Sequence, residues 1–437
     1  MKRFVGMSVV IAGVLLALVG LGAGFYLAAA GLASAAVWAG LPPSYGAGLA
    51  NIVTLMLVLV MVLASLLTVA ERKWSAAMQD RIGANRIKVF GSAVGGIPFL
   101  LADALKMLTK ENAVPAGRSP VLFELAPVLA FVPVFALFAV VPVGPEIAVL
   151  GQKVALAVFS PDAGILYVFA LASLSVYGTA LAGWASNNKL GLLGGVRASS
   201  QMISYEVSLG LSLVGLLMAY RSLRLDEMVL AQGEAALGPV TAVGLLLQPI
   251  GFLVFFASSL AETKRAPFDL PEGESEIVGY FVEYSGMKFG MMFLAEFVEI
   301  VILAGLVTAL FLGGWHPVVI PADVFRSWFA SPLLYGAVSA GIFMAKMVLL
   351  CWLQLTIRWL LPRFRFDQIQ TLCWKMLLPV SLANAFITGA AVLLDPSLQL
   401  LTWIGVVEIV LLSALTVVAG RAPAPAAEAH RAHAAGH

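Results

Sequence analysis

Between Arg3 and Glu71 the chain carries no Asp, Glu, Lys, Arg or His, and Pro42-Pro43-Ser44 alone breaks its apolar run. A helix needs about twenty apolar residues to cross the hydrocarbon of a bilayer. Backbone placed there must satisfy its own hydrogen bonds, which leaves helices as the natural solution for so long a run. The remaining sequence repeats the pattern of long apolar runs and short charged links. With 61% hydrophobic residues and 11% charged, the chain departs from soluble domains, of which about a quarter is charged. These features predict an all-α polytopic membrane protein.

Helices are expected over 5–38 and 50–70, then near 121–142, 161–183, 200–220, 241–260, 289–312, 333–353, 376–394 and 401–419. That gives about ten transmembrane helices, one of them flanking the core at each end. Lys2-Arg3 and Ala28-Ala29-Ala30 give the first the look of a signal peptide, but it is read as a retained anchor. Glu71-Arg72-Lys73 is expected to end the second helix as an ordinary polar terminus. Within 98–110, Leu101, Ala104, Leu105 and Leu108 fall on one helical face, with Asp103, Lys106 and Lys110 on the other. This predicts an interfacial amphipathic helix too short to span. The expected divisions are 1–49 (extra helix and linker), 50–394 (core), 395–420 (extra helix) and 421–437 (disordered tail).

Lysine and arginine concentrate in alternate links, around 71–120, 184–199, 261–288 and 354–375, and at both termini. By the positive-inside rule these links and both ends are cytoplasmic. Composition also excludes functions. Cys351 and Cys373 cannot hold a four-thiolate iron–sulfur cluster, and none of His316, His430, His433 and His437 lies inside an expected span, so bis-histidine haem is excluded too. The net charge of +2 and the lack of a basic run argue against nucleic acid. Nothing resembles a phosphate-binding glycine loop or a serine–histidine dyad, and no metal site is expected.

Chemistry is expected where carboxylates gather. The stretch from Ala261 to Phe289 places Glu262, Asp269, Glu272, Glu274, Glu276 and Glu283 against Lys264, Arg265 and Lys288. Carboxylates so close repel one another, which predicts raised and coupled proton affinities. Pro267 and Pro271 bracket Phe268-Asp269-Leu270 and oppose a continuous helix. Glu206, Glu296, Glu299, Lys346 and Glu408 fall inside expected spans. A charge at mid-helix costs about 2.5–3.5 kcal/mol on insertion scales, so Glu206 and Glu296 read as a proton path rather than as structural charge. Lys346 reads as a cap of the bundle, and Glu408 as a residue that could face a partner. The blander readings hold for Arg358, Arg363, Arg365, Asp367 and Lys375, which satisfy the positive-inside rule, and for Asn187-Asn188-Lys189 and the glycines up to Arg197, read as a flexible loop.

Several longer motifs are peculiar enough to carry a resemblance. They are ERK at 71–73, MQDRIGANR at 78–86, ADALKMLTKE at 102–111 and GWASNNKLGLLGGVRASSQMISYEVSLG at 183–210. AETKRAPFDLPEGESE follows at 261–276, then VEYSGMKF at 282–289, FLAEF at 293–297, GGW at 313–315 and LPRFRFDQIQTLCWKMLLP at 361–379. In these the chain resembles the quinone-site membrane subunit of proton-pumping NADH:quinone oxidoreductase, respiratory complex I. That is the H subunit of the bacterial enzyme and subunit 1 of the mitochondrial one. The resemblance implies a chamber for ubiquinone or menaquinone as substrate. It implies no residue of direct catalytic chemistry here, the electrons coming from iron–sulfur clusters and FMN in partner subunits.

Carried over motif by motif, the resemblance places Glu71, Arg72, Arg81, Asp103, Arg265, Phe268, Asp269, Glu272, Glu274, Glu276, Arg363 and Arg365 at the chamber. It places Glu206, Glu262, Glu296 and Glu283 on the proton path. It also implies peripheral iron–sulfur and quinone-site subunits on the cytoplasmic face, small and antiporter-like membrane subunits alongside, and a bacterial inner membrane. Departures from the family pattern are Ala84 between Gly83 and Asn85, a segment between Glu276 and Glu283 one residue short, Phe281 in place of a polar side chain, and the additional Glu299.

Three rivals remain: the homologous subunit of a membrane-bound hydrogenase or ferredoxin-linked complex, a proton-coupled secondary transporter, and a structural anchor. A transporter predicts internal repeats with matching broken helices, and no convincing repeat is visible. The orientation is testable in a background lacking Cys351 and Cys373. A membrane-impermeant thiol reagent outside the cell is expected to label Lys153→Cys and to spare Asn188→Cys. The reverse pattern overturns the assigned sidedness.

Overall fold

A computed structural model describes residues 2–87, 96–237, 240–271, 273, 277, 279–318 and 320–421. Among these residues, nine helices are long and apolar enough to cross a membrane, and the chain is a multi-pass, all-α membrane protein. The spanning helices begin with α1 (Lys2–Trp38) and α2 (Pro43–Met78). The short α3 (Pro98–Thr109) leads to α4 (Pro120–Val140) and the hairpin β1 (Gly144–Val149) and β2 (Gln152–Leu156). Then come α5 (Gly164–Ala185), α6 (Lys189–Tyr220), the short α7 (Leu225–Gln232) and a second small hairpin, β3 (Ala235–Leu237) with β4 (Val240–Thr241). The short α8 (Gly244–Leu247) and α9 (Pro249–Glu262) precede α10 (Gly286–Phe311) and the short α11 (Ala322–Ser327). The chain ends in α12 (Pro332–Leu360), α13 (Phe366–Leu394) and α14 (Gln399–Arg421).

The bundle is built around α10, in which every residue from Ala295 to Phe311 is buried. A helix apolar around its whole circumference is stable only when neighbours or lipid surround it, and here α2, α4 and α12 pack against it. The C-terminal end of α10 is closed by Lys346 of α12, whose ammonium donates to the carbonyls of Leu312 at 2.6 Å, Gly314 at 2.9 Å and His316. A cation there complements the helix dipole, and this matches the capping role expected of Lys346. Burial first, and then the Lys346 charge, hold the imidazole of His316 down to about 4, so it is neutral near pH 7.

Three expectations are corrected. Helix α2 does not stop at Glu71 but runs to Met78, so Glu71 and Arg72 lie on a helix face rather than at the helix end. The segment read as a flexible loop after Asn187 is the first two turns of α6, capped by Asn188, whose side chain accepts from the Leu190 amide at 2.9 Å. The span expected over 241–260 is broken at Gln248, which lies between α8 and α9, and α9 is too short to count among the nine spans. The link after α4 forms a β-hairpin. Its Leu150-Gly151 turn takes positive φ at both residues, 52° and 79°, as two-residue hairpin turns require.

Helix α1 docks on α12 and on this hairpin, the buried Tyr26 hydroxyl donating to the Pro145 carbonyl at 2.7 Å. The interfacial helix forms as expected, and its Leu101, Leu105 and Leu108 face away from the protein. The tail after residue 421 lies outside the described residues.

Close helix approach is clearest between α5 and α4. A Cβ on Gly178 would come within 2.3 Å of the Ala130 nitrogen, the small-residue packing that membrane helices use in place of a hydrophobic drive. Gly178→Ala is therefore expected to destabilise the bundle by about 1–3 kcal/mol, read as a lower thermal midpoint in detergent. Gly24→Ala, where a Cβ would meet nothing within 4 Å, is expected to leave that midpoint unchanged.

Candidate functional site

The site grows from the two carboxylates that α10 carries inside the bundle. Glu296 and Glu299 are three residues apart and both buried. Their counter-charges come from the two residues that follow α9 and its capping Thr263. Lys264 turns the chain with a positive φ of 57° and donates to Glu299 at 3.1 Å. Arg265 approaches Glu296 at 3.6 Å, bonds to Glu71 on α2, and lies 3.9 Å over the ring of Phe297. Glu71 also accepts from Arg358 on α12. Four elements are thus pinned together by one ionic network. Taking ions out of water costs several kcal/mol each, so such charges persist only when matched. Lys264 illustrates the balance: burial alone disfavours its ammonium, yet Glu299, Glu296 and Glu262 hold it above the ordinary lysine range.

The network forms one wall of a pocket of about 510 Å³. Polar groups enter it from Glu71, Arg72, Arg81 and Arg265. Phe289, Phe293 and Phe297 supply an aromatic wall, since their spacing of four aligns them along one face of α10, the first two rings stacked and the last pair edge to face. Phe281 and Phe289 also line a neighbouring pocket of about 320 Å³ beside Lys106 and Lys110 of the interfacial helix region. Asp103 does not line the pocket but pairs with Arg72 at 2.5 Å, tying α3 to α2. A flat, partly apolar molecule with polar oxygens suits this lining: rings pack on the phenylalanines and oxygens meet the guanidinium groups.

The other expected chamber residues lie elsewhere. Asp269, Arg363 and Arg365 line a separate pocket of about 310 Å³ with Arg197, and Asp269 bonds to Arg363. Phe268 packs between Tyr205 and Phe364, both ring centroids at 5.6 Å. Glu272, Glu274 and Glu276 lie outside the described residues. Of the expected proton-path residues, Glu206, which bonds to Ser173, and Glu262 line a small inner cavity together with Glu299. That cavity has about 30 Å³ of free space, room for a water or two. Glu283 lies apart from it, accepting from Asn188 at 2.6 Å.

The expectation of a loop crowded with mutually repelling acids rests in part on positions 272, 274 and 276, which lie outside the described residues. Among the described residues, Asp269 pairs with Arg363, Glu283 accepts from Asn188, and Glu262 feels like charge from Glu299 and Glu206. Sequence reasoning missed Arg358, set aside as ordinary inside charge, and the Phe289, Phe293, Phe297 stripe. The stripe's regular spacing was readable in KFGMMFLAEF, but it is hard to tell from plain core packing. Arg363 too proves to be a specific partner rather than a solvated charge.

Comparison with known proteins places the chain in a family. A family model described as NADH dehydrogenase matches residues 50–389. A protein named as the second H subunit of NADH-quinone oxidoreductase in Syntrophobacter fumaroxidans is 42% identical over 341 residues, 78% of this chain and 94% of its own length. The second H subunit from Geobacter sulfurreducens is 43% identical over 338 residues, 77% of this chain and 94% of its own. The first H subunit of the same enzyme from Cytophaga hutchinsonii is 39% identical over 345 residues, 78% and 96%. A family match over most of the chain and relatives covered almost end to end leave one conclusion: the chain belongs to the NADH dehydrogenase family.

Proposed function

We propose that the chain is the H subunit of a proton-translocating NADH:quinone oxidoreductase, in which it forms the quinone chamber and couples quinone reduction to proton movement. The observation that carries this reading is a pair of spaces lined from neighbouring residues. Arg265 and Phe297 line the aromatic, cation-lined pocket, Glu299 lines the small carboxylate cavity, and the adjacent cations Arg265 and Lys264 pair with Glu296 and Glu299 on α10. Core residues 50–394 serve the chamber, and the flanking helices α1 and α14 meet neighbouring membrane subunits. The acidic loop lies on the cytoplasmic face of a bacterial inner membrane, with both termini on the same side. Peripheral subunits dock there and bring electrons from FMN through iron–sulfur clusters.

In the chamber, Phe289, Phe293 and Phe297 hold the quinone ring, and Arg72, Arg81 and Arg265 orient its oxygens. Reduction places negative charge beside Arg265, which is otherwise engaged with Glu71 and Glu296. Drawing the guanidinium toward the quinone weakens its hold on Glu296, and a carboxylate losing its counter-ion gains affinity for a proton. The altered charge then biases Glu262 and Glu206 in turn, a coupling between distinct sites. Asp269 with Arg363 and Arg365, and the acids at 272, 274 and 276, complete the cytoplasmic mouth. A hydrogenase-type relative would share the bundle without using the chamber for quinone.

Two results are expected in the assembled enzyme. Arg81→Ala, whose guanidinium is bonded to Gln79 beside the pocket, raises the KM for a short-chain ubiquinone about tenfold, equivalent to about 1.4 kcal/mol, with kcat changed less than twofold. An unchanged KM removes Arg81 from the chamber. Glu206→Gln lowers turnover and proton translocation together, and wild-type values for both exclude Glu206 from the path.

A further inference from the structure

Lys264 and Arg265 are adjacent cations that reach adjacent turns of the same buried helix, Arg265 toward Glu296 and Lys264 toward Glu299. The two pairs border different spaces. Arg265 and Phe297 line the aromatic pocket, whereas Glu299 lines the inner cavity with Glu206 and Glu262. Lys264 also stands where a helix exit favours glycine, in left-handed backbone, and its side chain is 5% exposed. A long cationic residue placed there, against both conformational preference and the cost of burial, has to meet a carboxylate. Glu299 is that carboxylate.

We propose that Lys264 and Glu299 form a movable positioning pair that passes charge from the aromatic pocket to the inner cavity, an inference that rests on the proposed quinone-coupled function. At rest the ammonium balances the charge on Glu299, and the neighbouring Glu262 keeps its proton because two uncompensated carboxylates in a dry space repel. Lys264 bonds to Glu299 and also feels the charges of Glu296 and Glu262. When Arg265 is drawn off Glu296 by an anion in the pocket, Lys264 moves to Glu296. Glu299, left without a counter-charge, takes the proton of Glu262, and Glu262 becomes the acceptor for the next proton through Glu206. Lys264 stays protonated throughout, so one proton changes carboxylate and no charge is created. The pair acts through its neighbours and touches no substrate.

The test uses the whole enzyme in vesicles, with NADH and decylubiquinone as substrates and a pH-sensitive dye inside. The neutral double variant Lys264→Met with Glu299→Gln removes both charges, so a merely structural ion pair predicts assembly and turnover like the wild type. The proposal predicts normal assembly with turnover at least fivefold lower, and Lys264→Arg retaining more than half. Wild-type turnover and proton translocation in the double variant overturn it. Should the double variant fail to assemble, Glu299→Asp keeps the charge balance and shortens the reach. It is expected to lower turnover at least twofold, and an unchanged value overturns the proposal. Glu206→Gln separates the two levels of the argument. If that variant is impaired while the double variant works normally, the pair has no such role and the quinone-coupled reading stands. If both work normally, the reading itself fails.

Discussion

Neutralising buried charge is the constraint that shapes this molecule. Helix α10 carries Glu296 and Glu299 in a stretch where every side chain is enclosed, and an unmatched ion in such surroundings costs several kcal/mol. The chain meets that demand from one place, Lys264-Arg265, just past the end of α9. Other features follow. Helix α9 must end early, and Pro267 and Pro271 keep the following segment from resuming a helix among the described residues. Helix α2 must run past Glu71 so that this carboxylate meets Arg265 and Arg358. Lys346 steadies the opposite end of α10.

The same network gives the bundle a way to respond. Arginine forms several directed hydrogen bonds at once and also stacks on aromatic faces, and Arg265 does both, with Glu71 and Glu296 on one side and Phe297 beneath it. A group so heavily shared changes partners when a new anion arrives beside it. In the proposed mechanism the pocket and the cavity communicate by competing for the same few cations.

The architecture was legible because lipid leaves so few options. Apolar runs located the spans, and the two faces of residues 98–110 gave the short amphipathic helix. Boundaries were less legible, since polar residues can extend a membrane helix beyond the hydrocarbon. That is why Glu71, Asn188 and the glycines before Arg197 were placed in links although α2 and α6 contain or cap them. The break at Gln248 left no local signal stronger than Pro249. The embedded carboxylates stood out by their cost alone, and Glu206, Glu262 and Glu299 do share a cavity. Their partners did not stand out. Nothing in a linear chain says that Arg358 will reach Glu71 across 287 positions, or that Asp269 and Glu71 will line different pockets.

Infrared difference spectra of the assembled enzyme, taken between oxidised and reduced quinone, report directly on carboxyl groups that gain or lose a proton. If the pocket and the inner cavity are electrostatically linked, quinone reduction produces a carboxylic-acid band that disappears in Glu262→Gln and shifts in Glu299→Asp. A spectrum in which quinone reduction leaves every carboxyl band untouched, or in which those substitutions change nothing, contradicts the link.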